Sequence, residues 1–189
     1  EGDRYLISGR KIYISRVQHS DMMLLLARTT PREEVERKSE GLSVFLVDLR
    51  EAVGSGLTVK PRRVMLNNET NELVFEDLAV PAENLVGEEG RGFLYILDGM
   101  NAERILIAAE CVGNGRWFVE RSAARARKRV VFGRPIGKNQ GVQFPIAKAH
   151  ISVEAADLMR SRAAELFDGG EPCGAEANMA LLLAAEAAW

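Results

Sequence analysis

The sequence predicts an α+β fold, in which an antiparallel β-domain portion is followed by an α-helical bundle portion. Six short β-prone runs follow one another within about the first 80 residues, with no helical period between them. From Phe93 onward, apolar residues recur at three- and four-residue spacing. Strands first and helices afterwards indicate an α+β fold or two separate domains, and not a parallel α/β fold.

The β-prone runs are bounded by turn-forming residues. Arg4–Ser8 and Lys11–Ser15 are separated by Gly9-Arg10, which predicts a β-hairpin. The nearly continuous apolar run Met22–Arg28 predicts a strand buried on both faces. After a polar loop, further strands are predicted at Leu42–Asp48, Leu57–Val64 and Leu73–Phe75 with its flanks.

Three helices are predicted in the second part of the chain. They run from Phe93 to about Arg127, from about Val142 to Phe167, and from near Ala175 to Trp189. Pro145 fits the second of these only in its first turn. A loop is predicted at residues 129–140, and a flexible joint before the first helix at Gly87, Gly90 and Gly92.

The first helix carries an apolar stripe that predicts burial in a helical bundle. Its residues recur at helical spacing or its multiples: Phe93, Leu97, Met100, Ile107, Cys111 and Phe118. Arg104–Val112 is apolar nearly all round except for Arg104 and Glu110. An uncompensated charge near the middle of such a stripe is costly, so Arg104 is expected to have a partner.

Composition excludes several classes of protein. Of 189 residues 47% are hydrophobic, the net charge is −2 and the pI is about 5.9, so a basic nucleic-acid-binding face is not indicated. No apolar run is long enough to span a bilayer. Cys111 and Cys173 form neither a disulfide framework nor a metal site, and an intracellular, reducing compartment fits best. The first residue is not Met and the chain stops within a helical pattern, which is expected for a piece of a longer polypeptide.

Three stretches carry a family resemblance. They are Gly9–Ser15 (GRKIYIS), Phe75–Phe93 (FEDLAVPAENLVGEEGRGF) and Arg129–Ala147 (RVVFGRPIGKNQGVQFPIA). Their order and spacing resemble those of the acyl-CoA dehydrogenase family. The resemblance implies that residues 1–83 are the later part of a middle β-domain. It also implies that residues 84–189 are the first part of a C-terminal four-helix bundle.

The resemblance also implies a chemistry. In this family a carboxylate removes the α-proton of an acyl-CoA thioester, and the β-hydrogen leaves as hydride to N5 of FAD. It further implies a homotetramer or homodimer, an electron-transferring flavoprotein as partner, and a cytoplasmic or mitochondrial-matrix location. Acyl-CoA oxidases and flavin monooxygenases of the same fold are an alternative. A truncated or degenerate domain without catalytic activity is another.

Glu103 is the candidate catalytic base. It lies at the shoulder of the apolar stripe beside Met100 and Ile107, and burial there would make its carboxylate more basic. Periodicity alone favours a surface glutamate that pairs with Arg104. The resemblance favours the base, because the isovaleryl and long-chain branches keep their glutamate at this point, immediately before an arginine. Other branches place it near the C-terminus, and Glu110 is expected to be structural.

The remaining candidate site residues follow from the resemblance. Tyr13 and Ser15 match a tryptophan and a threonine that flank the flavin, although an ordinary strand is the alternative. Arg129, Phe132 and Gln140 match residues that contact FAD across a subunit interface, and an arginine fork suits a pyrophosphate. Arg129 would otherwise be one more cation at the basic end of a helix.

The acyl and pantetheine channel is expected to be lined by residues beside the base. Met100 and Asn101 precede Glu103 on the same helix, and Arg104 is expected either to support the site or to form a structural ion pair. Met100 serves equally well as plain core. The two histidines, His19 and His150, stand alone in the sequence and are expected to be structural.

Overall fold

The first part of the protein is built from β-strands. The computed structural model describes residues 2–65 and 69–189, and the chain divides into two compact units, Glu1–Ile96 and Leu97–Trp189. The first unit contains β1 (Arg4–Ser15), β2 (Met22–Arg28), β3 (Leu42–Asp48), α1 (Leu49–Ala52), β4 (Leu57–Pro61), β5 (Thr70–Pro81) and β6 (Leu85–Val86). All pairs between these strands are antiparallel, so the predicted β portion is confirmed.

The strands form two three-stranded sheets, in the orders β1-β5-β4 and β2-β3-β6. Apolar side chains from both sheets and from α1 form one core. Its buried members are Val17, Leu25, Phe45, Val47, Leu49, Ala52, Leu57, Leu73, Phe75, Leu78 and Val80.

Strand β1 is continuous where the sequence predicts a hairpin. Arg10 pairs with Val74 of β5, and the antiparallel register continues on both sides of it. Gly9 pairs instead with Phe75, beside a β-bulge in which Ser8 of β1 stands opposite two residues of β5, Glu76 and Asp77. The hairpin prediction is wrong because a glycine at a bulge and a glycine at a turn look alike in a sequence.

Strand β2 has the predicted bounds but not the predicted burial. Leu25 is buried, whereas Leu24 is 60% exposed and Met22 is 42% exposed. The strand lies at the edge of its sheet, and only one of its sides packs on the core. The prediction of burial on both faces is wrong because an apolar run does not show which neighbours cover it.

A buried carboxylate that the sequence analysis missed lies on β5. Glu72 is 2% exposed and is ion-paired with both Arg10 of β1 and Arg62, which follows β4. Hydrogen bonds from these two arginines lower the pKa of Glu72, and they outweigh the opposite effect of burial. The two cations compensate a charge that would be costly if it were buried alone.

The second unit is helical, as predicted. Helix α2 (Gly92–Lys128) begins in the first unit and continues through the second, which also contains α3 (Gln140–Asp168) and α4 (Gly174–Ala188). The predicted loop of residues 129–140 contains a small hairpin, β7 (Val130–Val131) and β8 (Arg134–Pro135). Among the described residues, no helix is both long enough and apolar enough to cross a membrane.

Helix α3 begins earlier than predicted. Its first residue is Gln140, so Pro145 lies in the second turn and not in the first. A proline at this position has no N–H to donate to the carbonyl of Gly141, and one helical hydrogen bond is therefore missing.

The buried face of α2 is not the predicted stripe. Ile105, Ala108 and Val112 are buried, whereas Ile107 is 41% exposed and Phe118 is 51% exposed. These buried residues pack with small side chains of α3 and α4, which let helices approach closely. The full cluster is Ile105, Ala108, Val112, Val153, Ala156, Ala163, Ala177, Ala180 and Ala184. The prediction is wrong because α2 is apolar on more than one side, and periodicity does not show which side is covered.

Two of the three glycines at the predicted flexible joint, Gly87 and Gly92, are tightly packed. A Cβ at Gly92 would lie 2.6 Å from backbone atoms of both Ser43 and Val44 of β3. Gly87 has a φ of 69°, and a Cβ there would lie 2.5 Å from the ring of Tyr95. Only glycine therefore allows the chain to pass this close to its neighbours.

We expect Gly92→Ala to destabilise the protein by about 1–3 kcal/mol, the usual range for an overpacked substitution. The added methyl group meets backbone atoms, which cannot move aside as a flexible side chain can. The matched control is Gly99→Ala, also in α2, where a Cβ would meet nothing within 4 Å. Alanine favours a helix by about 0.5–1 kcal/mol over glycine, so the control should be as stable as the wild type or more stable. Thermal unfolding of the two variants tests this, and equal losses would contradict it.

Helices α2 and α3 are joined by an ion-pair network. The Arg116 guanidinium donates from Nε and Nη2 to the two carboxylate oxygens of Glu154, each at 2.9 Å, and from Nη2 to Asp157 at 2.8 Å. Arg160 donates to the other oxygen of Asp157 at 2.7 Å. Arg116 holds the pKa of Glu154 below its ordinary value of 4.5. Burial acts to raise the pKa of Asp157, but Arg160 and Arg116 together lower it from 3.8.

The network predicts a dependence of stability on pH. Because the pKa values of Glu154 and Asp157 are lower in the folded state than in the unfolded state, the ionised pairs stabilise the fold above about pH 4.5. This contribution is lost as the pH falls through the folded-state values. We expect Arg116→Met to have a lower unfolding midpoint than the wild type near neutral pH. As the pH falls, the midpoint of the variant should decrease less steeply than that of the wild type, so that the two midpoints converge at low pH.

The control for this measurement is Arg162→Met. Arg162 contacts Glu165 at 3.7 Å in an exposed pair within α3, and such pairs contribute little. The control should therefore keep the wild-type dependence on pH. Parallel curves for wild type and Arg116→Met would show that the network does not contribute.

Candidate functional site

The candidate base Glu103 lies on an open face of α2. Its side chain is exposed, and it is flanked by Met100, 37% exposed, and Ile107, 41% exposed. These residues stand three before and four after Glu103, so all three share one side of the helix. The predicted burial of Glu103 is wrong for this chain, because the packed side of α2 is the one that carries Ile105 and Ala108.

Arg104 has a partner, as expected, but that partner is an amide. Its Nη1 donates to Oδ1 of Asn101 at 3.0 Å, one turn earlier on α2, and both residues are half-buried. In residues 2–65 and 69–189, no carboxylate forms an ion pair with Arg104. The surface pair of Glu103 with Arg104, which periodicity alone favours, is therefore not formed, and the carboxylate stays accessible.

Tyr13 is the extra residue of a second bulge in β1. The register with β5 shifts between Ile12 and Ile14, and Tyr13 between them has a φ of 64°. A bulky residue in this region is strained, and such strain is found mostly at functional sites. The ring is 70% exposed, and Ser15 two residues later is also exposed. Both candidate flavin contacts are thus accessible, although no regularity in the sequence predicts the bulge.

Phe132 is displayed at the tip of the β7–β8 hairpin. Val131 pairs with Arg134, and the two residues between them, Phe132 and Gly133, have φ values of 49° and 77°. Two positive φ values define a type I′ turn, whose first position favours Asn, Asp or Gly. An aromatic residue there is strained, and this one is 101% exposed and gains no packing in return within the described chain.

Arg129 and Gln140 stand at the two ends of this connection. The backbone of Arg129 is fixed, because its N–H donates to Arg125 at 2.8 Å and its carbonyl accepts from Ile136 at 2.8 Å. Its guanidinium is exposed and forms no ion pair within the part of the chain that the structure describes. Gln140 is the exposed first residue of α3.

The structure does not bring Glu103 and Arg129 together. Arg129 directly follows α2 and lies 26 residues after Glu103, so a rise of about 1.5 Å per residue places its backbone roughly 39 Å along the axis from Glu103. A single dinucleotide cofactor does not span this distance. The residues around Glu103 and those around Arg129 are therefore two separate groups within one chain.

Comparison with known families agrees with the antiparallel sheets and the helices. Residues 1–78 match the model of the acyl-CoA dehydrogenase middle domain, and residues 90–189 match that of the acyl-CoA dehydrogenase C-terminal domain. The chain belongs to the acyl-CoA dehydrogenase family.

Individual relatives are similar over nearly the whole chain. An acyl-CoA dehydrogenase of Bacillus subtilis is 37% identical over 98% of this chain and 48% of its own length. The structure of butyryl-CoA dehydrogenase from Megasphaera elsdenii has a TM-score of 0.88 at 28% identity, over 99% of this chain and 48% of that one. The structure described as PigA with FAD and proline has a TM-score of 0.88 at 29% identity, over 97% of this chain and 47% of that one. The chain thus spans about half the length of the proteins it matches.

Proposed function

We propose that the chain is part of an FAD-dependent oxidoreductase that introduces an α,β double bond into an acyl-CoA thioester. The observation that carries this proposal is the placement of Glu103 on an open apolar face of α2, between Met100 and Ile107. A surface carboxylate is ordinarily surrounded by polar residues. Apolar neighbours indicate a face that becomes dry once substrate and further protein cover it.

Glu103 takes the α-proton of the acyl group in this proposal. The apolar side chains of Met100 and Ile107 exclude water around the acyl chain. The Asn101–Arg104 hydrogen bond keeps the guanidinium away from Glu103, and both residues contribute polar contacts to the thioester side of the substrate. FAD, when bound, accepts the β-hydrogen as hydride.

The residues proposed to hold FAD fit that group chemically. Arg129 offers a guanidinium that is not engaged by any described carboxylate, and a planar fork suits a pyrophosphate. Phe132 and Tyr13 each offer an exposed aromatic face, and Ser15 and Gln140 offer exposed hydrogen-bonding groups. The structural relative PigA is described with FAD, which supports this choice of cofactor.

The arrangement of the whole protein is part of the same proposal. Residues 1–83 are the later part of a middle β-domain and residues 84–189 the first part of a C-terminal helical bundle. Because Glu103 and Arg129 are far apart along α2, we propose that Arg129, Phe132 and Gln140 contact the FAD of a partner subunit in a homodimer or homotetramer. The electron acceptor proposed is an electron-transferring flavoprotein, in the cytoplasm or the mitochondrial matrix.

One experiment tests the proposed function directly. The full-length protein is purified and its visible absorption spectrum is recorded before and after anaerobic addition of acyl-CoA esters of different chain lengths. A flavin spectrum that is bleached by one of these esters is the expected result. A protein that neither contains flavin nor binds added FAD would overturn the proposal.

Replacing Phe132 by Asn is expected to raise stability and weaken FAD binding at once. Asparagine suits the first position of a type I′ turn, so the strain is relieved and the apoprotein gains about 1 kcal/mol, the low end of the cost of such strain. Loss of the exposed ring removes the proposed contact with the cofactor, and the FAD dissociation constant should rise. Thermal unfolding of the apoprotein and titration with FAD measure the two effects. Unchanged FAD affinity would exclude Phe132 from the site.

A further inference from the structure

A buried amide network lies beside the Tyr13 bulge. Asn71 of β5 has no exposed surface, and its Nδ2 lies within hydrogen-bond distance of the Ile14 carbonyl at 3.1 Å, the Glu69 carbonyl at 2.5 Å and Oε1 of Gln18 at 3.1 Å. Its Oδ1 accepts from Nε2 of Gln18 at 2.7 Å. Asn71 thus ties the end of β1, the segment before β5 and the turn after β1 to one side chain.

This network surrounds strained backbone. Tyr13, Arg16 and Glu69 all have positive φ values, of 64°, 60° and 50°. Asn71 pairs with Ile14, the residue next to the bulge, and the Glu69 carbonyl also accepts from the Arg16 N–H at 3.3 Å. Strained conformations persist only where the surroundings hold them in place.

The orientation of the Asn71 amide is fixed by its partners. The carbonyls of Ile14 and Glu69 can only accept hydrogen bonds, so the Asn71 atom that faces them must be the NH₂ group. An aspartate of the same shape would turn a carboxylate oxygen toward two carbonyl oxygens. The position therefore requires a donor, and not merely a small polar side chain.

We propose that Asn71, together with Gln18, is a positioning residue that sets the backbone of the Tyr13 bulge and thereby the orientation of Tyr13 and Ser15 toward the flavin. This inference rests on the proposed function. Asn71 does not touch the flavin itself. It acts through the carbonyl of Ile14, which lies between the two contact residues, and Gln18 braces the amide from the turn that follows.

The experiment compares three variants of the full-length protein. Gln18→Ala removes the brace at an exposed position, so it should fold. Asn71→Asp removes the donor with little change of shape. The matched control is Ser8→Ala, at the other bulge between β1 and β5, where the Ser8 hydroxyl donates to Asp77 at 2.7 Å and accepts from the Asp77 N–H at 2.9 Å. Asp77 also has a positive φ, of 48°. The control therefore removes comparable hydrogen bonds beside strained backbone, but away from Tyr13.

The readouts are the visible circular dichroism of the bound flavin, the FAD dissociation constant of the apoprotein, and the unfolding midpoint. By analogy with groups that orient metal ligands, we expect Gln18→Ala and Asn71→Asp to weaken FAD binding about 10–100-fold and to change the flavin dichroism. Ser8→Ala should lower the unfolding midpoint only. If Asn71→Asp does not fold, Gln18→Ala alone decides.

A wild-type flavin spectrum and FAD affinity in Gln18→Ala, or equal changes in Ser8→Ala, would overturn the positioning role while leaving the proposed function standing. A full-length wild-type protein that binds no flavin would overturn both.

Discussion

Glu103→Gln in the full-length protein is expected to slow flavin reduction by acyl-CoA about 10²–10⁴-fold, the usual cost of removing a general base. Glutamine keeps the shape and hydrogen-bonding capacity of the side chain but cannot take the α-proton. Binding of acyl-CoA and FAD should change much less, so the loss falls on the rate of reduction. Anaerobic stopped-flow absorbance, with separate titrations of ligand affinity, measures these quantities.

The matched control is Glu110→Gln, seven residues further along α2 and also exposed. Two helical turns separate the positions, so both glutamates lie on about the same side of the helix. The control should reduce its flavin at nearly the wild-type rate. The competing view places the base elsewhere in the protein, and it predicts reduction within a few-fold of wild type for Glu103→Gln. That result would show that Glu103 is not the catalytic base.

Arg129→Ala is expected to weaken FAD binding about 10–100-fold. A hydrogen bond to a charged group contributes about 1.5–3 kcal/mol, and each 1.4 kcal/mol is a factor of ten. The matched control is Lys128→Ala, which removes the same charge from the adjacent position at the end of α2. Because lysine lacks the planar guanidinium fork, Lys128→Ala should weaken FAD binding much less than Arg129→Ala does. Similar losses in the two variants would show that only general positive charge attracts the cofactor.

The intersubunit placement of Arg129 has a test of its own. Subunits carrying Glu103→Gln are unfolded and refolded together with subunits carrying Arg129→Ala. If each site takes Glu103 from one subunit and Arg129 from its partner, hybrid oligomers contain intact sites, about a quarter of the total in an equal mixture of symmetric dimers. At an FAD concentration too low to saturate Arg129→Ala, activity should therefore exceed that of either parent. An equally inactive mixture, or a wild-type monomer that binds FAD normally, would contradict this placement.

The sequence predicts the order and type of the elements because these depend on local patterns. The helical period that begins near Phe93 and the turn glycines around the strands are visible without any tertiary information. The two bulges between β1 and β5 are not, because a bulge is a relation between two strands. For the same reason the sequence alone does not distinguish Gly9 from a turn residue.

Burial on α2 was the least predictable property. The helix is apolar on several sides, and only the positions of α3 and α4 decide that Ile105 and Ala108 are covered while Ile107 is not. The ion pairs of Glu72 and Arg116 depend on contacts between residues far apart in sequence, so no spacing indicates them. The roles of Glu103 and Arg129 stay predictions, since they rest on the resemblance and on accessibility.

Helix α2 also has a consequence for which changes in length the protein can tolerate. Because the helix is continuous from Gly92 to Lys128, deleting one residue between Glu103 and Arg129 would turn one relative to the other by about 100° and shift it by about 1.5 Å. Substitutions on the exposed face of α2 change neither this rotation nor this spacing. Away from Glu103 and its neighbours, natural variants of the protein should therefore differ freely in residue type along that face. Insertions and deletions should be confined to the connections, such as the residues that follow Asp168 before α4 begins.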